Sequence, residues 1–137
     1  IVRKGGTIIM AGACQDGLPD HGRYAELLAE AGSPQGVLDM LAKPGFGEQD
    51  QWQIQIQAQI QLHADVHVYS DGLSDEQIRR ALLTPCRDIE ETVSKLMASN
   101  GRSTASSPVS EAGTRRICAL PEGPQTIAYL DNKNPNK

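Results

Sequence analysis

Side chains that could act as acids, bases or a nucleophile are concentrated between residues 14 and 22. The loop there contains Cys14, Asp16, Asp20 and His21, after a short apolar run and before a segment of helical spacing. In open α/β sheets, ligands bind at such loops, beyond the carboxyl ends of the strands. No spacing among the four residues fixes a role. A solvated loop is therefore the favoured interpretation, with a nucleophilic Cys14 as an alternative.

Two histidines, His63 and His67, are four residues apart, which on a helix would put both imidazoles on one face. The metalloprotease pattern requires a Glu directly after the first His, but Ala64 follows His63 here. The segment Val66–Tyr69 also has the composition of a strand, which breaks the helical geometry. We therefore predict half-buried histidines and no metal site.

The single tryptophan, Trp52, stands in a polar stretch, Gln49–Gln53, just after a glycine-rich loop. A tryptophan there could anchor the core, or it could present its indole N–H to a ligand. The residues around it leave both alternatives open.

The composition is that of a globular protein of one domain, with 137 residues, 39% hydrophobic and 22% charged. A net charge of −4 and 4% aromatic residues argue against a nucleic-acid partner. No run approaches the roughly 20 apolar residues of a membrane span. Three widely spaced cysteines, Cys14, Cys86 and Cys118, predict free thiols and a cytoplasmic protein. The chain starts at Ile1 without Met, so we expect a piece of something longer.

Apolar runs and helical spacings alternate along the chain. They predict an α/β fold in three layers, a mostly parallel sheet of few strands flanked by helices. Strands are predicted at Thr7–Ala13, Val66–Tyr69 and Arg116–Leu120. Helices are predicted from Tyr24 to Ala31, from Pro34 to Leu41, after Ser74, and from Thr84 to about Met97 with an inward stripe of Ile89, Val93, Leu96 and Met97. We expect residues 1–130 to form the domain and residues 131–137 a polar tail.

The segment Gln53–Leu62 alternates strictly between polar and apolar residues, which by period is a strand with one wet face. Glutamine is nevertheless a good helix former, and no turn residue separates this run from Asp65. The following segment is also the better strand. We therefore predict a helix.

Six short motifs occur in an order and at separations that resemble the C-terminal domain of nickel-dependent lactate racemases. They are Gly5–Met10, Gln51–Gln55, Ala64–Val66, Leu83–Pro85, Leu120–Pro124 and Thr126–Ile127. The resemblance implies a two-domain enzyme that uses a nickel-pincer nucleotide, with its site in the cleft between the domains. It also implies that hydride leaves C2 of a 2-hydroxy acid and returns on either face.

The family's histidine bases, cofactor-bearing lysine and nickel-binding histidine all belong to its N-terminal domain. The resemblance therefore carries no catalytic residue, metal ligand or cofactor-binding residue to this chain, and no cofactor is expected in it. One residue does carry over, because a family tryptophan that lines the cleft matches Trp52. The resemblance thus assigns Trp52 to substrate binding, and it agrees with a helix over Gln53–Leu62.

The resemblance predicts a half-site domain of a racemase or epimerase that is inactive alone. Its expected partners are the N-terminal catalytic domain of the same chain and a small 2-hydroxy acid, with no nucleic acid and no membrane. The alternative is a non-catalytic α/β module that binds a nucleotide or another small molecule.

Overall fold

A parallel three-stranded sheet forms the centre of the structure, a computed structural model that describes residues 2–19, 22–98 and 116–123. The strands are β1 (Gly6–Ala11), β2 (Ala64–Tyr69) and β3 (Thr84–Pro85), in the order β1-β2-β3. Gly6 pairs with Ala64 and Ala11 with Tyr69, so β1 and β2 are in register over their whole length. The predicted α/β fold with a parallel sheet flanked by helices is confirmed.

Five helices accompany the sheet in the described residues. They are α1 (Tyr24–Ala31), α2 (Pro34–Leu41), α3 (Gln51–Gln61), α4 (Asp75–Arg80) and α5 (Ile89–Ala98). The first three connect β1 to β2, as a parallel pair requires a crossover connection. None of the helices in the described part of the chain is long and apolar enough to cross a membrane.

Local capping residues set ends of α1, α2 and α4, at the positions where the sequence predicts these helices to end or begin. Gly32 ends α1 in the left-handed conformation, with φ of 67°. Ser33 begins α2, since its Oγ accepts a hydrogen bond of 3.0 Å from the backbone N–H of Gly36. Ser74 and Gln77 form a reciprocal capping box at the start of α4.

Residues 53–61 of the alternating segment are helical, within α3, and Leu62 is the C-cap residue, so the predicted helix is confirmed. Ile54 and Ala58 lie one turn apart and are both fully buried. Gln57 donates to the carbonyl oxygen of Ala81 at 2.6 Å, and Gln61 donates to that of Leu82. The inner face of α3 is therefore apolar at its centre, with two glutamines that satisfy carbonyl groups beyond the end of α4.

The core consists of two clusters of buried side chains. The larger joins the first three helices and contains Leu27, Leu28, Val37, Met40, Ile54, Ala58 and Ala81. The smaller lies between β2 and α4 and contains Val68, Leu73 and Ile78. The hydroxyl of Tyr24 donates to Gln57 at the margin of the larger cluster, and burial raises the pKa of Tyr24.

The prediction of a helix starting at Thr84 is wrong. Thr84 and Pro85 pair with β2, and the Cys86 N–H donates to the carbonyl oxygen of Val68 at 2.8 Å. Helix α5 begins only at Ile89, because the Asp88 carboxylate accepts a hydrogen bond of 2.7 Å from the Glu91 N–H.

The expected inward stripe of α5 is also wrong, since no residue of α5 is buried. Ile89 and Met97 are both exposed, by 38% and 45%.

The predicted third strand at Arg116–Leu120 is wrong as well. Residues 116–120 form no strand, and all are exposed. A strand is stabilised by pairing with a neighbour, and none of the described strands pairs with this run. The chain divides into two units, of which Val2–Pro108 contains every helix and strand described here. The other comprises Ile1 and Val109–Lys137.

Two isoleucines of α3 test its orientation. Ile54 is fully buried and Ile56 is 50% exposed, although only one residue separates them. We expect Ile54→Ala to lower the free energy of unfolding by about 2–5 kcal/mol, because it leaves a cavity. The matched Ile56→Ala should change it by less than about 0.5 kcal/mol. Urea denaturation followed by circular dichroism measures both, and equal losses would contradict this orientation.

Candidate functional site

The carboxyl ends of β1 and β2 meet at one edge of the sheet, because the two strands are parallel and in register. Gly12 donates to the carbonyl oxygen of Tyr69 at 3.0 Å and extends the pairing beyond the strands. Ligands of open α/β sheets bind at this edge. The candidate site is therefore sought among the segments that leave it.

Ser70 and Gly72 join these two segments. The Ser70 hydroxyl, 2% exposed, donates to the carbonyl oxygen of Ala13 at 3.0 Å. The Gly72 N–H donates to the same oxygen at 3.0 Å and lies 3.2 Å from the Ser70 Oγ. We call Ala13, Ser70 and Gly72 the β1–β2 clasp, since they fix one loop against the other.

Arg87 stabilises the loop that contains Ser70 and Gly72 of the β1–β2 clasp. Its guanidinium donates to the carbonyl oxygens of Ser70 at 3.0 Å and Leu73 at 3.2 Å, and it pairs with Asp75. Backbone carbonyl groups of a loop are thereby satisfied without water, which fixes the course of residues 70–73.

Helix α3 leads directly into β2, so in a crossover between parallel strands its N-terminus is expected at this same edge. Asp50 precedes it in the left-handed conformation, with φ of 66°. The Asp50 carboxylate accepts a hydrogen bond of 3.0 Å from the Arg23 N–H. A Cβ at Gly22 would overlap this carboxylate, so the close approach requires glycine there.

The Arg23 side chain strengthens this junction between α1 and the start of α3. It contacts three carboxylates, those of Glu26 at 3.1 Å, Glu30 at 2.8 Å and Glu48 at 3.0 Å. Hydrogen bonds to Glu48 and Glu26 raise the pKa of Arg23 above its usual value. The side chains of Glu48 and Asp50, just before Trp52, are thus held by the side chain and the backbone N–H of Arg23 respectively.

Trp52 stands on the first turn of α3 with 62% of its surface exposed. The alternative that Trp52 anchors the core is therefore wrong. No described residue accepts a hydrogen bond from its indole N–H. The exposed ring combines a large apolar surface with a hydrogen-bond donor, which suits contact with a polar ligand.

Of the four loop residues, the structure describes two, Cys14 and Asp16. Cys14 is half-buried with φ of 46°, and its carbonyl oxygen accepts from the Gly17 N–H at 2.9 Å in a tight turn. Asp16 lies exposed within that turn. Asp20 and His21 are outside the described residues.

The prediction of half-buried histidines is confirmed for His67 and wrong for His63, which is exposed. His63 follows α3, and its Nε2–H donates to the carbonyl oxygen of Val2 at 2.7 Å. His67 lies within β2, where burial lowers its pKa while the charge of Asp65 opposes that effect. No group of three or more potential metal ligands occurs within residues 2–19, 22–98 and 116–123.

A parallel α/β domain with an exposed tryptophan at the carboxyl edge of its sheet defines the general class of the molecule. The sequence matches the model of the lactate racemase C-terminal domain over residues 1–113. The chain therefore belongs to this family, as the sequence resemblance indicates. It is also 32% identical over 93 residues to a protein named lactate racemase from Thermoanaerobacterium thermosaccharolyticum. This match covers 66% of the chain and 22% of the relative.

Sequence reasoning missed the residues that position Trp52. Arg23 and Asp50 are far apart in the chain and join only in the folded state. Gly22 is the one local signal, because a glycine before a helix can mark a close approach of another segment.

Gly72 provides a test of the β1–β2 clasp. A Cβ at this position would overlap the carbonyl oxygens of Ala13 and Cys14, which are backbone atoms that cannot turn aside. We expect Gly72→Ala to lower the free energy of unfolding by about 1–3 kcal/mol. Gly47→Ala is the matched control, because nothing lies near its added methyl group. If urea denaturation gives the two variants the same stability, the clasp is not as close as described.

The depressed pKa of His67 predicts a dependence of stability on pH. Its folded-state pKa lies below the unfolded value of about 6.5, so protons bind preferentially to the unfolded chain. The contribution of neutral His67 to the free energy of unfolding is fully present above pH 6.5. It is lost as the pH falls through 6.5 toward the folded-state pKa. We expect His67→Gln to lose less stability than the unmodified chain between pH 7.5 and 5.5, measured by urea denaturation. Parallel losses in the two proteins would rule out this origin.

Proposed function

We propose that this chain is the C-terminal half-site domain of a racemase or epimerase that acts on a small 2-hydroxy acid. Membership of the lactate racemase C-terminal domain family supports the reaction class. The chain matches about a fifth of the relative's length, which leaves room in that protein for a further domain. The N-terminal catalytic domain of the same polypeptide is the proposed partner, and substrate lies in the cleft between the two.

The observation that carries this proposal is the exposure of Trp52 on the first turn of α3, the helix that leads into β2. The ring is held by α3, whose start is tied to α1 through Asp50 and Arg23. A fixed aromatic ring can pack against the apolar part of a small acid and exclude water from it. Its indole N–H can donate to a hydroxyl or carboxylate oxygen. Trp52 is thus the proposed substrate-binding residue of this domain.

The proposed reaction is loss of C2–H as hydride and of the hydroxyl proton to a base, which gives a neutral ketone at C2. Removing C2–H as a proton beside a carboxylate would instead leave a costly dianion. The hydride acceptor proposed for the whole protein is a nickel-pincer nucleotide. The described residues of this chain contain no cluster fit to hold nickel, so no step is assigned to them.

We further propose a cytoplasmic protein. Cys14, Cys86 and Cys118 are all free thiols, which a reducing compartment maintains.

Substitution of Trp52 in the full-length protein tests the proposed role. We expect Trp52→Ala to lower kcat/KM for racemisation at least about tenfold, and Trp52→Phe to lower it less, because Phe keeps the apolar face. The thermal stability of the 137-residue chain should stay nearly unchanged by either substitution, since the ring is exposed in it. Met97→Ala, which truncates another exposed apolar side chain, is the control and should racemise normally. Chiral chromatography of lactate measures all four proteins.

The 137-residue chain by itself should not racemise lactate under the same conditions. Measurable turnover by it would overturn the half-site assignment. Calorimetry with nucleotides and 2-hydroxy acids examines the rival role, because tight binding by the chain alone would favour a non-catalytic binding module.

A further inference from the structure

Helix α3 has a second apolar face. Trp52, Ile56 and Ile60 follow one another at intervals of four residues, so they form a stripe along the helix. They are 62%, 50% and 42% exposed. At 3.6 residues per turn this stripe lies nearly opposite the buried pair Ile54 and Ala58. We call Trp52, Ile56 and Ile60 the outer stripe.

The surroundings of the outer stripe carry no charge. Between Gln51 and Leu62 there is no Asp, Glu, Lys or Arg, although charged residues make up 22% of the chain. Exposed helix faces of free-standing domains usually carry charged residues. Gln55 and Gln59, both exposed, flank the stripe instead. Covering an uncharged face avoids the large cost of removing ions from water, and charged residues are depleted at the centres of interfaces.

The size of the outer stripe distinguishes between possible occupants. Its three side chains expose a few hundred Å² at most, against the roughly 800 Å² per partner buried in a stable complex of two free proteins. A second copy of this chain would therefore be held weakly. A domain on the same polypeptide is held at high effective concentration and needs far less area. The related lactate racemase has most of its length outside the match, so it contains such additional chain.

The outer stripe is also continuous with the proposed substrate contact. Trp52 is its first residue, and Ile60 lies about 12 Å farther along the helix axis at 1.5 Å per residue. If Trp52 faces the other domain across the cleft, the neighbouring Ile56 on the same face of α3 lies next to the same domain. The fixed start of α3, through Asp50 and Arg23, holds this surface in one orientation.

We propose that the outer stripe is the docking surface of this domain for the N-terminal catalytic domain of the same polypeptide, a deepening that rests on the proposed function. Ile56 and Ile60 pack against an apolar strip of that domain. Trp52 ends the contact at the rim of the substrate cleft.

Hydroxyl-radical footprinting with mass spectrometry tests this docking. In the full-length protein we expect Trp52, Ile56 and Ile60 to be oxidised about tenfold more slowly than in the 137-residue chain. The double variant Ile56→Gln, Ile60→Gln should return the oxidation of Trp52 toward its rate in the chain alone. Glutamine is a good helix former and already occupies every second position of α3, so the substitutions should preserve the helix. Met97→Gln is the matched control at an exposed apolar residue outside α3, and circular dichroism checks that each variant folds.

Racemase activity, measured on the same samples, separates the two proposals. Equal oxidation of the outer stripe in an active full-length protein and in the chain alone would overturn the docking and leave the proposed function standing. Slow oxidation in a full-length protein that does not racemise 2-hydroxy acids would support the docking and overturn the reaction. Slow oxidation already in the chain alone, with concentration-dependent dimers in gel filtration, would assign the stripe to a second copy and overturn the docking.

Discussion

The parallel pairing of β1 with β2 is the constraint on which the rest of the described structure depends. Parallel neighbours cannot be joined by a tight turn, so the chain must cross back, and it does so through α1, α2 and α3. Because α3 leads into β2, its N-terminus must lie at the carboxyl edge of the sheet. Trp52 is on the first turn of α3, so the topology brings it to that edge. The β1–β2 clasp then holds the loops around the edge in one arrangement.

Helix α3 serves two surfaces because its apolar residues alternate with glutamines. The alternation places Ile54 and Ala58 in the core, and it leaves Ile56 and Ile60 outside. The inner face of α3 needs no further partner, since Gln57 and Gln61 donate hydrogen bonds to the carbonyl oxygens of Ala81 and Leu82 that lie against it. The two outer isoleucines add little to the stability of this domain, and as β-branched residues they are slightly unfavourable in a helix. Their presence is best explained by a partner surface.

Features that depend on a few neighbouring residues were predictable from the sequence, whereas those that depend on distant partners were not. Gly32, Ser33 and Ser74 end or begin helices through contacts within four residues, and the helix ends predicted beside them are confirmed. Thr84–Pro85 is a strand only because β2 lies beside it, and the run 116–120 is not one in spite of its apolar residues. The assignment of Trp52 to substrate binding comes from the resemblance and stays a prediction. The support of Trp52 by Arg23 and Asp50 required the fold.

The modest area of the outer stripe is consistent with a cleft that must open. If the two domains bound each other through an interface as large and apolar as a protein core, the cleft between them would remain closed and substrate could not enter. A contact of a few hundred Å² between tethered domains can instead form and break while the domains themselves stay folded. Trp52, at the end of this contact and on a fixed helix start, would then approach the substrate whenever the cleft closes. In the proposed two-domain protein the same helix would couple domain closure to the substrate contact, because Trp52 and Ile56 both belong to the outer stripe.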